Sequence, residues 1–480
     1  MTAAVLGRRA ADGPSAAAEA GSTAADATEP LLIRGALEVF TGERGPAARA
    51  GAVDLRIRDG VIEEMAANLS PTDGERVLDA AGCVIYPGWV NTHHHLFQSL
   101  LKGVPSGLDQ PLSGWLARVP YPRLTRFDAD TLEIAVTIGL VELLLSGTTT
   151  CADHHYLYHR GCDPAATDVL FEVAQRLGVR LALCRGGATV AGDHPGYPAD
   201  LVPESLAEYL SDVERLVGRY HQSGPRPMRQ VVMAPTTPTY SVEPAHLREF
   251  AASARALGIR RHSHLSETTD YLDYCARVHG MRPVMFCAEH DWLGPDVWYA
   301  HLVHVDAEEI ALLAETGTGI AHCPQSNCRL GSGIAPVPAM ARAGVPISLG
   351  VDGPASNESA DMIGEIKTAW AIHRAREGAA ATRAEEVVHW ASSGGAGVLG
   401  MEGIGTLAPG MAADLGVYEL AHPRYFGMHD FALGPVLCGG SAELRYLFTG
   451  GRVVVEHGEI PGLDLAELAA RAQAASRALA

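Results

Sequence analysis

Lysine is almost absent: Lys102 and Lys367 are the only two, so 35 of the 37 basic residues are arginine. Acidic residues number 56, and the formal charge of −19 argues against nucleic-acid or anionic-membrane partners, which need clustered cations. No uninterrupted apolar run reaches about 18 residues, so no membrane span is predicted. The nine cysteines are odd in number and form no C-x-x-C pair. Such scatter speaks against a disulfide framework and fits a reducing cytoplasm. Residues 1–29 are rich in Ala, and Arg8-Arg9 is not followed by an apolar segment, which predicts a disordered tail rather than an export signal. What is present is an ordinary globular balance, 47% apolar and 19% charged, on a chain long enough for a large core.

Short alternating segments at both ends read as half-buried strands. They include Leu31-Leu32-Ile33, Val53-Leu55-Ile57 and Val61-Ile62 early, then 415–417, 444–447 and 453–455 late. Neither set is large enough for a sandwich alone, so the two are expected to pair into a small β-sandwich domain (30–86 and 406–460), with 461–480 as a C-terminal helix. Between them, residues 87–405 alternate strand and helix. An apolar run from Cys83 to Ile85 opens the series. Strands near 148–153, 181–184, 230–234, 261–265, 297–300, 319–322 and 346–351 follow, mostly separated by helices of 3.6-residue periodicity. Eight such strands predict an α/β fold, a (β/α)8 TIM-like barrel. A doubly wound open sheet would want a Gly-rich phosphate turn after its first strand, where three histidines stand instead.

Polar residues fall where such a barrel performs chemistry, at the C-terminal ends of its strands. His93/His95, Asp153/His154/His155, Arg185, His264 with Glu267, His301, His322 and Asp352 all occupy predicted strand ends. His93 and His95, two apart on an extended strand, face the same side. With His264 and Asp352 they make three imidazoles and a carboxylate, a donor set that can hold one divalent ion and leave a position open. Such an ion lowers the pKa of coordinated water to about 7. Glu267, three residues past His264, is a candidate acid toward a ring nitrogen, Asp352 a candidate acceptor of the water's proton, and His301 a candidate stabiliser of developing charge.

Together these stretches resemble the amidohydrolase superfamily, in its mononuclear aminohydrolase branch. The motifs are P-G-W-V-N-T-H-H-H (87–95), H-S-H-L-S-E (262–267), A-H-L-V-H (300–304), H-C-P-Q-S-N (322–327), G-V-D-G-P-A-S-N (350–357) and G-T-L-A-P-G-M-A-A-D (405–414). The resemblance implies metal ligation by His93, His95, His264 and Asp352, with Glu267 and His301 at the proton-shuttling and water-orienting positions. Binuclear relatives carry a carboxylated lysine at the end of strand four. Here that strand ends Met233-Ala234-Pro235-Thr236, with neither lysine near, which implies one ion. Zn2+ suits the donors and Fe2+ is compatible. The cytidine-deaminase pattern, H-x-E followed by P-C-x-x-C, does not occur.

Further stretches, 91–103, 114–116, 152–158, 184–189, 234–237 and 289–294, resemble the isoxanthopterin and 8-oxoguanine deaminases. They imply a hydrolytic deaminase that removes the 2-amino group of an oxidised purine or pterin and releases ammonia. A flat oxo-heterocycle would want an aromatic wall, for which Trp115 and Tyr156 are candidates, and carbonyl partners, for which Gln98 and Arg185 are candidates. An s-triazine amino- or chlorohydrolase is the sister alternative, and an inactive barrel kept as a binding protein is the alternative of another class. The resemblance also implies a homo-oligomer.

Overall fold

The computed structural model describes residues 29–191 and 201–480. The expected tail, apart from Glu29, lies outside the described residues. Eight parallel strands form one sheet in chain order: β1 (Trp89–His94), β2 (Thr148–His155), β3 (Arg180–Arg185), β4 (Arg229–Met233), β5 (Arg261–Leu265), β6 (Val297–His301), β7 (Gly319–His322) and β8 (Ile347–Leu349). The sheet curls until its ends meet. Thr92 Oγ1 donates to the Leu349 carbonyl at 2.8 Å, and the Asp352 N–H donates to the His93 carbonyl at 3.0 Å. The predicted barrel is present.

The intervening helices start and stop where local chemistry directs. Asp128 caps Ala129–Leu145 by accepting from the Thr131 N–H. Ser205 with Glu208 and Asp306 with Glu309 form reciprocal capping boxes on Leu206–Tyr220 and Ala307–Thr316. Gly178, Gly258 and Gly317 end their helices in the left-handed region that a Cβ disfavours.

One expectation is corrected. The apolar run from Cys83 is not the first barrel strand: Cys83–Pro87 pairs antiparallel with Leu415–Glu419 in a separate sheet, and the chain enters the barrel after Gly88. The reason is a close crossing. A Cβ at Gly88 would lie 2.3 Å from Thr149 Oγ1, while the Gly88 N–H is held by the Asp414 carbonyl at 2.9 Å. Only glycine passes there without displacing β2.

The terminal strands form two sheets. One is wholly N-terminal, ordered Val61–Ala66, Asp54–Arg58, Leu31–Arg34, Arg76–Asp79. The other joins both ends, ordered Arg452–Glu456, Leu444–Thr449, Leu415–Glu419, Cys83–Pro87, Glu38–Phe40, Arg49–Gly51. Ile33, Leu55, Ile57, Ile85, Val417 and Phe448 pack between them. Arg180, at the start of β3, ties this region to the barrel: its Nε and Nη2 donate to both carboxylate oxygens of buried Asp414 at 2.7 and 2.9 Å. Among the described residues no helix is long and apolar enough to cross a membrane.

Inside the barrel the lower layer is apolar. Val90, Ala152, Ala182, Val232 and Ala321 meet beneath Trp298, and imidazoles lie above. A register break in β1 between Asn91 and His94 lets Val90 and His93, three apart, both face inward.

Candidate metal centre

β1 delivers His93 and the residue after it delivers His95. β5 delivers His264, and the segment after β8 delivers Asp352. All four are buried. His93 Nε2 and His95 Nε2 stand 3.3 and 3.1 Å from Asp352 Oδ1, and His264 Nε2 is 3.2 Å from His95 Nε2. Four donor atoms thus converge on one point. His94 turns the other way, toward Gly139 on the helix Ala129–Leu145.

The far nitrogens of two of these rings are anchored to backbone. His95 Nδ1 donates to the His154 carbonyl at 2.7 Å, and His264 Nδ1 to the Thr236 carbonyl at 2.7 Å. Each ring therefore offers a bare Nε2, the form a metal needs. Burial drives the His93 and His264 imidazoles well below their ordinary range, which keeps them neutral. Burial also opposes a charge on His95, but Asp352, the His154 carbonyl and Asp153 together offset it and leave that imidazole raised. For Asp352, burial works upward, while the adjoining His93 and His95 rings hold the carboxyl well below the usual carboxylate range. Its second oxygen accepts from Ser326 Oγ at 2.6 Å and Ser356 Oγ at 3.1 Å.

A single divalent ion fits this set. His93 Nε2 is buried without a hydrogen-bond partner, and three imidazoles with one carboxylate are donors that a d-block ion prefers. His93, His264, His301 and Asp352 can bring one donor atom each within 4.8 Å of one another, and so can His95, His154 and His264. The backbone supporting the site is itself unusual: Ser266, His301 and Asp352 have φ of 52°, 77° and 64°, a left-handed region that non-glycine residues occupy at some cost.

Around the ion site, Glu267 and His301 face each other, with Oε2 and Nε2 3.6 Å apart. His301 Nδ1 donates to Asn327 Oδ1 at 2.9 Å, leaving Nε2 as an acceptor. Burial pushes the Glu267 carboxyl up from its ordinary value. A cavity opens above, and His95, His264, Glu267, His301 and Asp352 share its wall with Gln98, Trp115 and Tyr156. Trp115 is held by its indole N–H donating to the Ala355 carbonyl at 3.0 Å. Gln98 Nε2 donates to the Tyr156 hydroxyl at 2.9 Å.

The structure does not bring Arg185 into this cavity. Its guanidinium lies between the rings of Tyr158 and Tyr209 and is spent on Glu204 at 2.6 and 2.7 Å and on Asp212 at 3.0 Å. An arginine buried completely needs such partners, and those two carboxylates were not connected to it by any sequence spacing. Sequence reasoning places His154 at a strand end without giving it a role, and gives none to His262, Ser326 or Asn327; His154 and His262 are both fully buried beside the candidate ligand rings. The H-x-H spacing of His262 and His264 on one strand was the available signal.

The sequence pattern of the amidohydrolase family matches residues 84–454. The chain belongs to the amidohydrolase family. This amidohydrolase is 52% identical over 476 residues to an isoxanthopterin deaminase from an unknown prokaryotic organism, covering 95% of this chain and 98% of the relative. It is 42% identical over 449 residues to an 8-oxoguanine deaminase of Pseudomonas aeruginosa, covering 93% and 98%. Among solved structures, an amidohydrolase from a Sargasso Sea environmental sample matches with a TM-score of 0.82 and 49% identity over 94% and 98% of the two chains. An atrazine chlorohydrolase from Arthrobacter aurescens TC1, solved with zinc, matches with a TM-score of 0.86 and 28% identity over 93% and 100%. The fold, the family and the His/Asp metal site agree in making this chain a metal-dependent hydrolase.

Proposed function

We propose that this amidohydrolase is a zinc-dependent deaminase that removes the 2-amino group of an oxidised purine or pterin ring, isoxanthopterin or 8-oxoguanine, and releases ammonia. One observation carries the choice of ring. In the Gln98–Tyr156 pair one amide N–H is donated to the phenol oxygen, Gln98 Oε1 is buried beside Gly353 without a partner, and the phenol hydrogen is free to donate. An acceptor beside a donor is the complement of a lactam, whose ring N–H and C=O lie side by side. Oxopurines and isoxanthopterin carry lactams. Trp115 and Tyr156 supply aromatic surface for a flat ring. The two deaminases named above support the same class.

His93, His95, His264 and Asp352 would hold the ion, and zinc suits three imidazoles and a carboxylate. Bound there, a divalent ion supplies a nucleophile at neutral pH by acidifying water. This chain's residues do the rest. Gln98 and Tyr156 orient the ring so that its amino-bearing carbon faces the four ligands. Glu267, whose carboxyl pKa burial raises, gives its proton to the ring nitrogen next to that carbon. Asp352 takes the proton from the attacking water, and His301 Nε2 accepts a hydrogen bond from it. Ammonia departs once the amino group has been protonated through the same carboxyls.

The test is a turnover assay on zinc-loaded protein with isoxanthopterin, 8-oxoguanine and substituted s-triazines, reading ammonia and ring products. Ammonia from either lactam substrate is the expected result. Turnover of triazines alone would overturn the substrate assignment, and no turnover of any would favour a binding role.

A further inference from the structure

Beneath the proposed ligands lies an imidazole that the reading above leaves without a task. His262, on β5, is completely buried and two residues before His264. Its Nδ1 lies 2.9 Å from the carbonyl oxygen of Trp298 on β6. A carbonyl only accepts, so this nitrogen carries the ring's hydrogen. The neutral ring then has a single lone pair left, on Nε2, and that atom is 2.8 Å from His93 Nδ1. Only one polarity remains: His93 Nδ1–H donates to His262. His93 therefore keeps its hydrogen on the side away from Asp352 and presents a bare Nε2, 3.3 Å from Asp352 Oδ1.

Trp298 fixes the ring as well as its hydrogen. The indole stacks on His262 with centroids 4.5 Å apart and planes 14° apart. Its Nε1–H donates to the Thr92 carbonyl at 3.1 Å, immediately before His93. The circuit runs from β1 to β5 to β6 and back to β1. His95 and His264 take their tautomer from backbone carbonyls, which no substitution removes. His93 alone of the three depends on another side chain.

We infer that His262 is a positioning residue for His93: it sets the His93 tautomer and ring angle, and so the affinity of the centre for its ion. The inference rests on the reading of His93 as a metal ligand. Removing an outer partner of this kind from a metal-binding histidine costs about 10–100-fold in metal affinity.

Full-length protein and its His262→Met, His262→Gln and His93→Ala variants would be compared in zinc affinity, by competition with a chromogenic chelator, and in the visible spectrum of the cobalt(II) form. His262→Met fills the space without an equivalent acceptor, whereas Gln can place Oε1 near the position of the lost Nε2. We expect about 10–100-fold weaker zinc binding and an altered cobalt spectrum for His262→Met, with most of both recovered in His262→Gln. Affinity within about twofold of the parent, or a Gln variant as weak as the Met variant, would overturn the inference. Should His262→Met not fold, His262→Asn, whose shorter amide cannot span to His93, takes its place. Unchanged zinc affinity in His93→Ala would instead overturn the ligand reading itself.

Discussion

Asp352 and His93 touch twice: the Asp352 N–H donates to the His93 carbonyl at 3.0 Å, and Asp352 Oδ1 faces His93 Nε2 at 3.3 Å. One of the hydrogen bonds that close the barrel is therefore made by two residues of the candidate metal centre. Removing the ion should loosen that seam. Chelator-treated protein should show faster amide exchange across 91–94 and 350–353 than zinc-loaded protein, with other strands unchanged, as read by hydrogen-exchange mass spectrometry.

His264→Ala should abolish stoichiometric metal binding, measured by elemental analysis. Activity should fall by more than the roughly 10–100-fold that loss of an outer partner costs. The ring's Nδ1 bond to Thr236 is local, so the circular dichroism of the variant should match the parent.

Glu267→Gln should lower kcat by about 10²–10⁴-fold, the usual value of a positioned acid, with a small change in KM. The pH profile gives the sign. Burial raises the Glu267 pKa, so the protonated form works below that value and is lost as pH rises through it. The alkaline fall in kcat that this causes should be missing from the Gln variant.

Gly353 makes room for Gln98: a Cβ there would lie 1.8 Å from Gln98 Oε1. Gly353→Ala should displace the amide and raise KM for lactam substrates about as much as Gln98→Leu does. Loss of a hydrogen bond to a neutral group corresponds to roughly 0.5–1.5 kcal/mol, or about 2–10-fold. Steady-state kinetics on both variants checks this.

Asp414→Ala should destabilise the fold by about 3–5 kcal/mol, because it leaves the buried Arg180 guanidinium without its carboxylate. A lower denaturation midpoint with activity intact at low denaturant is the expected readout.

The barrel was legible because its signals are local: apolar runs of strand length, helical periodicity and turn residues recur in step. The four converging donors were legible as well, since in this fold a strand's end position determines which mouth its side chain faces. What was not legible involves lateral contact. Arg185 ends β3 as a substrate-binding residue would, but Glu204 and Asp212 lie on later segments that fold back over it. Sequence reasoning places the domain boundary at 86/87, yet Cys83–Ile85 reads as opening the barrel series, because Cys83–Pro87 and Trp89–His94 are both buried apolar strands and only Thr149 and Asp414, distant in sequence, separate them. His262 stood two residues from a proposed ligand, yet its partner Trp298 could be known only from coordinates.

The strand Cys83–Pro87 has a consequence for how the molecule is made. Its antiparallel neighbour is Leu415–Glu419, so during synthesis this edge must wait for more than three hundred further residues to leave the ribosome. Contacts so remote in sequence form late and slowly. Until then the nascent chain exposes one unpaired edge of an apolar strand, and chaperone dependence should be concentrated in that interval.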